Sequence, residues 1–342
     1  MRPTVRNTAS IALSLGAAIV ALTCINVWRL GSRQIIVTPI VPPPVDERRA
    51  AEHLSSAVRF QTVSHDLAPD QDRGEFLRLH TFLKEVFPHA HAVLTREVVN
   101  GYALLYAWPG EDPTSRPIVL MAHPALERVE HAPYPAAVGG VAGDMLRAIA
   151  PEMHGLNRVA LSNLWLFEPL VRRQLAAAPS TNALLRTTAA ITIIRGGNKE
   201  NVLPETAEAW VNYRLLPGDT VRDVVEHVRR AIDDERVVIE VLPESSEASP
   251  VASQTSDGYG LISRTVREVF PGVVVAPGLM IGGTDSRHMA GVAENVYRFS
   301  PVRARAEDLS RFHGTDERIS VENYVEMIRF YQTLIRHAAG VN

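Results

Sequence analysis

The stretch Ile281-Gly282-Gly283-Thr284-Asp285-Ser286-Arg287-His288 decides how the remainder of the chain is read. Two successive glycines let a backbone come close to a ligand or a neighbouring group. Arg287 follows with a planar five-donor fork that matches a carboxylate. About one strand and one loop later comes His313, within Arg311-Phe312-His313-Gly314-Thr315-Asp316-Glu317, flanked by acids and followed by a helix. A hairpin that brings Arg287 and His313 together builds a pocket that grips an anion beside a metal or a base. Taken singly the pieces are bland, because a glycine pair is usually a turn and a loop histidine is usually a surface residue. Their combination carries the reading.

Outward from this stretch, Leu261, Ile262, Thr265, Val266, Val269 and Phe270 predict a helix near 257–270. Val273–Pro277 reads as a strand. Ser320 caps a last helix whose Val321, Tyr324, Val325, Ile328 and Ile335 face a core. Upstream, residues 190–197 and Ala207–Leu216 read as strands joined through Glu200-Asn201-Val202-Leu203-Pro204. Asp219 or Thr220 then caps an amphipathic helix with Val221, Val224, Val225, Val228 and Ile232 on one face. Val237–Leu242 is a further strand, which makes strand–strand–helix–strand, half of a ferredoxin-like unit. An amide at Asn201 and a guanidinium at Arg214, on adjacent strand ends, can clamp a carboxylate; a turn asparagine and an exposed strand arginine explain them equally well.

The first half reads as helices over 47–90, with Arg59–Asp66 as a loop between them. Ala92–Val98 and Tyr102–Trp108 form a hairpin about Asn100-Gly101. Ile118-Val119-Leu120-Met121 predicts a short buried strand ending at His123, the position where α/β sheets place their sites. Residues 133–188 read as helical, with Leu164, Trp165, Leu166, Phe167 and Leu170 as core.

Residues 9–28 hold no charge and are long enough to span a bilayer. We read them as an uncleaved signal anchor, the alternative being a cleaved signal and secretion. Arg2 and Arg6 before the run, and Arg29 and Arg33 after it, leave its orientation open. The proline-rich residues 37–46 predict a stiff spacer that holds the folded part away from the membrane. A length of 342 residues suggests about two domains. A net charge of −3 argues against a nucleic-acid partner. With Cys24 as the one cysteine, there is no intramolecular disulfide, and any metal must sit on histidines and carboxylates.

GGTDSRH at 282–288, NVYRFSPV at 295–302 and FHGTDERIS at 312–320 resemble the C-terminal third of the zinc amidohydrolase family of aminoacylase, glutamate carboxypeptidase and carboxypeptidase S. The nearest branch is that of carboxypeptidase S and the N-fatty-acyl-amino-acid synthase/hydrolase. The resemblance implies an α/β fold: a mixed-sheet catalytic-type domain from 47–124 and 253–342, and an inserted ferredoxin-like lid and dimerisation domain from 125–252. Ahead of them stand a tail at 1–8, the span at 9–28 and a linker at 29–46. It also implies two zinc ions, with His123 and His313 as ligands, and a substrate carboxylate held by Arg287, Asn201 and Arg214 beside Gly283 and Thr284. The substrate class is an N-acyl amino acid or a peptide with a free carboxylate, the partner a second copy through the lid, and the globular part lies outside the cytoplasm.

One departure outweighs the matches. In the family the first histidine opens a His-x-Asp motif and is followed by a bridging aspartate and a Glu-Glu pair. Here Pro124-Ala125-Leu126-Glu127 follows His123, and no general base can be named. A catalytic zinc normally takes three protein ligands. The chain reads as two family pieces joined across a deletion near residue 124, which leaves catalytic residues unassigned. Three readings follow: a hydrolase, a catalytically dead binding or dimerisation module, or the product of a gene deletion.

Overall fold

A computed structural model describes residues 4–62, 73–110, 114, 116–121, 134–197, 199, 201, 204, 206–305, 307–308, 311–312 and 316–340. Helix α1, Thr4–Arg29, covers the apolar run. Glu47–Ala57 is α2, capped by the Asp46 side chain, which accepts from the Arg49 amide. Helices α3, Arg73–Val86, and α4, Pro88–Val93, follow. The hairpin forms as read, with β1, Thr95–Val99, antiparallel to β2, Ala103–Ala107. Asn100 and Gly101 both take positive φ at its turn, which is why this dipeptide is placed there.

Residues 140–182 are helical: α5, Gly140–Ile149; a 3₁₀ turn at Ala150–Glu152; α6, Gly155–Ser162; α7, Leu164–Leu175; and α8, Pro179–Asn182. Strand β3, Thr188–Gly196, then pairs antiparallel with β4, Ala207–Arg214, with an irregularity between Ile191 and Ile193. Helix α9, Val221–Ile232, starts with a capping box in which Thr220 and Asp223 satisfy each other's backbone amides. Helix α10 is Asp257–Val269, and α11 is Val321–Ala338 with Ser320 as its cap. These two cross to bury Val266, Phe270, Phe330 and Leu334, the heart of the C-terminal core. Glu268 is 4% exposed between them, accepting from Arg264 Nε at 2.8 Å and paired with His337 Nε2 at 2.5 Å.

Four expectations are corrected. Residues 116–121 form no strand and lie exposed. Val237–Leu242 and Val273–Pro277 also stay outside any strand, so among the described residues the sheets are two separate antiparallel pairs rather than one mixed sheet. A β-strand satisfies its backbone through a neighbouring strand, and among the described residues none pairs with these segments. The leucine and tryptophan stripe of α7 faces solvent, whereas Val171 faces the core. Finally, the linker does not stand clear of the body. Gln34 bridges Val275, donating from Nε2 to its carbonyl at 2.8 Å and accepting from its amide at 2.7 Å, and the Ile40 amide donates to the Glu268 carbonyl at 3.3 Å. A glutamine side chain thus takes the place of a neighbouring strand along 273–275.

The total accessible surface is 24718 Å². A compact monomer of 37.6 kDa is expected to expose roughly 14,000 Å². Helix α1, none of whose residues from Ser10 to Arg29 is buried, contributes to the excess.

Candidate anion-binding pocket

The C-terminal end of β4 delivers Tyr213 and Arg214 to one wall of a cavity of about 510 Å³. That end is fixed by Thr187, whose hydroxyl donates to Asp219 and accepts from the Leu216 amide at 2.8 Å. Helix α10 supplies the floor with Ile262, Ser263 and Val266, and residues 278–284 form the opposite wall. Arg186, Arg287 and Arg298 line the same cavity, so four guanidinium groups border it.

Gly283 and Arg214 meet here. A Cβ added to Gly283 would lie 2.8 Å from Arg214 Nη1 and 3.5 Å from its Cζ. A side chain at the second glycine of the pair would therefore displace the Arg214 guanidinium. This is the close approach that the glycines foretold, with a guanidinium as the first neighbour. Thr284 opens a 3₁₀ turn, Asp285–Gly291, in which the Arg287 amide donates to the Thr284 carbonyl at 3.1 Å. Arg287 itself is exposed, its Nε directed at His288 Nε2 at 3.3 Å. Sequence reasoning missed Arg298. Its Nε donates to Ser286 Oγ at 2.7 Å, the Ser286 hydroxyl is also bonded to Thr284, and burial lowers the guanidinium pKa. The signal was present in Tyr297-Arg298-Phe299, an arginine between two aromatics, but nothing in the sequence tied it to 282–287.

The placement of the proposed residues is uneven. Arg214, Gly283, Thr284 and Arg287 line one cavity. Asn201 lies exposed in the connection between β3 and β4, outside the cavity lining. Arg214 pairs with Thr188 at the root of the hairpin, whereas Asn201 precedes its distal end, about 24 Å away at the rise of an antiparallel strand. His123 and His313 lie outside the described residues. Among the described residues no group of three histidine, cysteine or acidic side chains is placed to hold a metal ion. With both proposed ligands outside the described residues, no step through a metal is derived.

Residues 127–239 match the peptidase dimerisation domain of the M20 type. The chain is similar to the probable carboxypeptidase S-like 2 of Dictyostelium discoideum, at 46% identity over 180 residues, 53% of this chain and 35% of the relative. It is similar to the N-fatty-acyl-amino acid synthase/hydrolase PM20D1 of Xenopus tropicalis, at 43% over 216 residues, 63% of this chain and 42% of the relative. The probable carboxypeptidase S-like 1 of Dictyostelium discoideum matches at 24% over 417 residues, 83% of this chain and 86% of the relative. The chain is a relative of the M20 peptidases, near their carboxypeptidase S branch. It spans less than half the length of the first two relatives. No solved structure matches it.

Proposed function

We propose that the chain binds the free carboxylate of an N-acyl amino acid or short peptide in the arginine-lined cavity, and does not cleave it. The observation that carries this is the close approach of the Arg214 guanidinium to Gly283 in a cavity that Arg287 and Arg298 also line. A guanidinium fork recognises a carboxylate through paired charged hydrogen bonds, and the relatives' names give the substrate class. Against cleavage stands the sequence after His123, which lacks the aspartate and the acidic pair that the family resemblance calls for. The third alignment supports an internal deletion: 83% of 342 residues is about 284, so about 130 of its 417 positions have no counterpart in this chain.

The domain division read from the sequence fits this proposal, with 47–124 and 253–342 as the two halves of the body and 125–252 as the lid. In the lid, Ile191, Ile193, Ile194 and Val211 are exposed on the β3–β4 ribbon, which favours association with a second copy through the dimerisation domain. Ser10–Arg29 is apolar and long enough to cross a membrane, and it is exposed along most of its length, with Thr23, Asn26 and Val27 partly covered. We read it as a signal anchor with the body outside the cytoplasm.

The test is a calorimetric titration of the full chain in detergent, in zinc-containing buffer, with an N-fatty-acyl amino acid and with its neutral amide. The acid binds and the amide loses at least about tenfold, the value of one charged hydrogen bond. Equal binding overturns the pocket assignment. Mass spectrometry of the same mixture finds no free amino acid. Its release, abolished by His123→Ala and His313→Ala, overturns the proposal of inactivity. Zinc retained after dialysis stays below about a tenth of an ion per chain, against the pair of ions a two-metal hydrolase requires.

A further inference from the structure

Helix α7 turns an apolar stripe outward. Trp165, Leu166, Pro169 and Leu170 are exposed at the i, i+1, i+4, i+5 spacing of one helix face, and Arg173 continues the stripe. Trp165 is 54% exposed and Leu170 60%. A soluble protein rarely leaves such a stripe open without a partner.

The start of this stripe is fastened to α1. Asn163, the residue before α7, is fully buried between the helices. Its Nδ2 donates to the carbonyls of Thr23 at 3.3 Å and Val159 at 2.9 Å. Its Oδ1 accepts from Asn26 Nδ2 at 2.9 Å and from Trp165 Nε1 at 3.2 Å. Both donor hydrogens and both lone pairs of the amide are thereby used. Such fully satisfied amides join helices in lipid, where an unpaired polar group is costly. Arg158 adds a bond from Nη2 to the Val27 carbonyl at 3.4 Å.

The depth of the fastening selects the occupant. Thr23 lies six residues before Arg29, the end of the apolar run, or about 9 Å at helical rise. Helices lying in a membrane interface sink roughly 5–10 Å into the boundary of headgroups and acyl chains. The linker holds the body close as well. Gln34 is bound to Val275 only five residues after Arg29, a reach of at most about 17 Å. Arg158, Arg172 and Arg173 stand against Glu168 on α6 and α7, a balance suited to lipid phosphates.

We propose that α6 and α7 form a membrane seat: the outer stripe of α7 lies in the lipid interface beside the exit of α1. This rests on the reading of α1 as a membrane span. The pocket and the lid are then held at the bilayer surface, where an acyl chain can pass between lipid and protein without crossing water.

The test uses the full chain in phosphatidylcholine nanodiscs whose acyl chains are brominated near the headgroup. Two single-tryptophan variants are compared. One keeps Trp28, 85% exposed at the end of α1, by replacing Trp108, Trp165 and Trp210 with Phe. The other keeps Trp165 by replacing Trp28, Trp108 and Trp210 with Phe. Both fluoresce at about half or less of their intensity in unbrominated discs, as interfacial residues do. Trp28 quenched with Trp165 unquenched overturns the seat and leaves the span intact. Neither quenched overturns the span, and the seat with it. If either variant misfolds, Cys24→Ala with Leu170→Cys carries an environment-sensitive dye with all four tryptophans in place. Blue-shifted emission in discs relative to detergent supports the seat, and unshifted emission overturns it.

Discussion

Gly283→Ala probes the pocket with one methyl group. The added Cβ would sit 2.8 Å from Arg214 Nη1, where ordinary packing needs about 3.5 Å. The guanidinium must retreat by about 0.7 Å. A charged nitrogen–oxygen bond of about 2.8 Å then stretches to about 3.5 Å, beyond useful hydrogen-bond length. One charged hydrogen bond contributes about 1.5–3 kcal/mol, so carboxylate affinity falls about 10- to 150-fold. Stability changes little, because the clashing atom is the end of a flexible side chain and Gly283 does not occupy the left-handed region. The assay is the calorimetric titration paired with a thermal melt. Arg214→Ala, which removes the fork outright, sets the scale. The reasoning is refuted if Gly283→Ala binds within a factor of two of the parent while Arg214→Ala loses binding, since Arg214 would then act from another position. It is equally refuted if both variants bind as the parent does.

Three further outcomes follow from the core and the helix contacts. Phe330 is almost fully buried among Phe270, Phe299 and Tyr331, so Phe330→Ala costs about 3–5 kcal/mol in chemical denaturation, and a loss under about 1 kcal/mol would place the core elsewhere. Burial works to raise the Glu268 carboxyl, but the bonds from Arg264 and His337 outweigh it and hold the group below its usual range. Because the folded carboxyl titrates below the unfolded one, near 4.3, its contribution is full above that pH and is lost as the pH falls through the lower folded value. The melting temperature therefore declines on acidification below about pH 4, and Glu268→Gln makes that decline shallower; an unchanged slope argues that the bridge is inert. Asn163→Ala takes the shared acceptor from the part-covered Asn26 amide and the half-exposed Trp165 indole, at about 0.5–1.5 kcal/mol for each hydrogen bond lost. Hydrogen exchange in α6 and α7 then speeds up by about tenfold or more, and unchanged protection would mean that α1 does not brace them.

Where a segment's partners are local, the sequence was readable. The Asn100-Gly101 turn, the caps at Thr220 and Ser320, and the stripe of α10 depend on neighbours within a few residues, and each forms where the pattern placed it. The segments 118–121, 237–242 and 273–277 carry equally good strand patterns and form none. A strand pattern states only what a residue wants beside it, and the pairing is completed from elsewhere in the chain. The pocket divides in the same way. Gly283 and Arg287 were legible because the loop holds both, whereas Arg298 gains its place through Ser286 and Thr284, a contact that no spacing rule encodes. Asn201 lies in the connection between β3 and β4 and outside the cavity lining, a placement that its turn-like sequence context left open.

The unpaired segments also explain how the molecule holds together as far as it does. Gln34 supplies to Val275 the donor and the acceptor that an adjacent strand would give, and Arg267 Nη1 reaches both Gln34 Oε1 at 3.2 Å and the Val273 carbonyl at 2.6 Å. The linker is thus a substitute edge, and it acts on the segment that leads into Gly282-Gly283. Residues 118–121 receive no such cover; Ile118, Val119, Leu120 and Met121 are all about half exposed. An uncovered apolar segment of this kind pairs with other chains. The strapped segment leads into Gly282-Gly283, and the open one precedes His123 in the sequence.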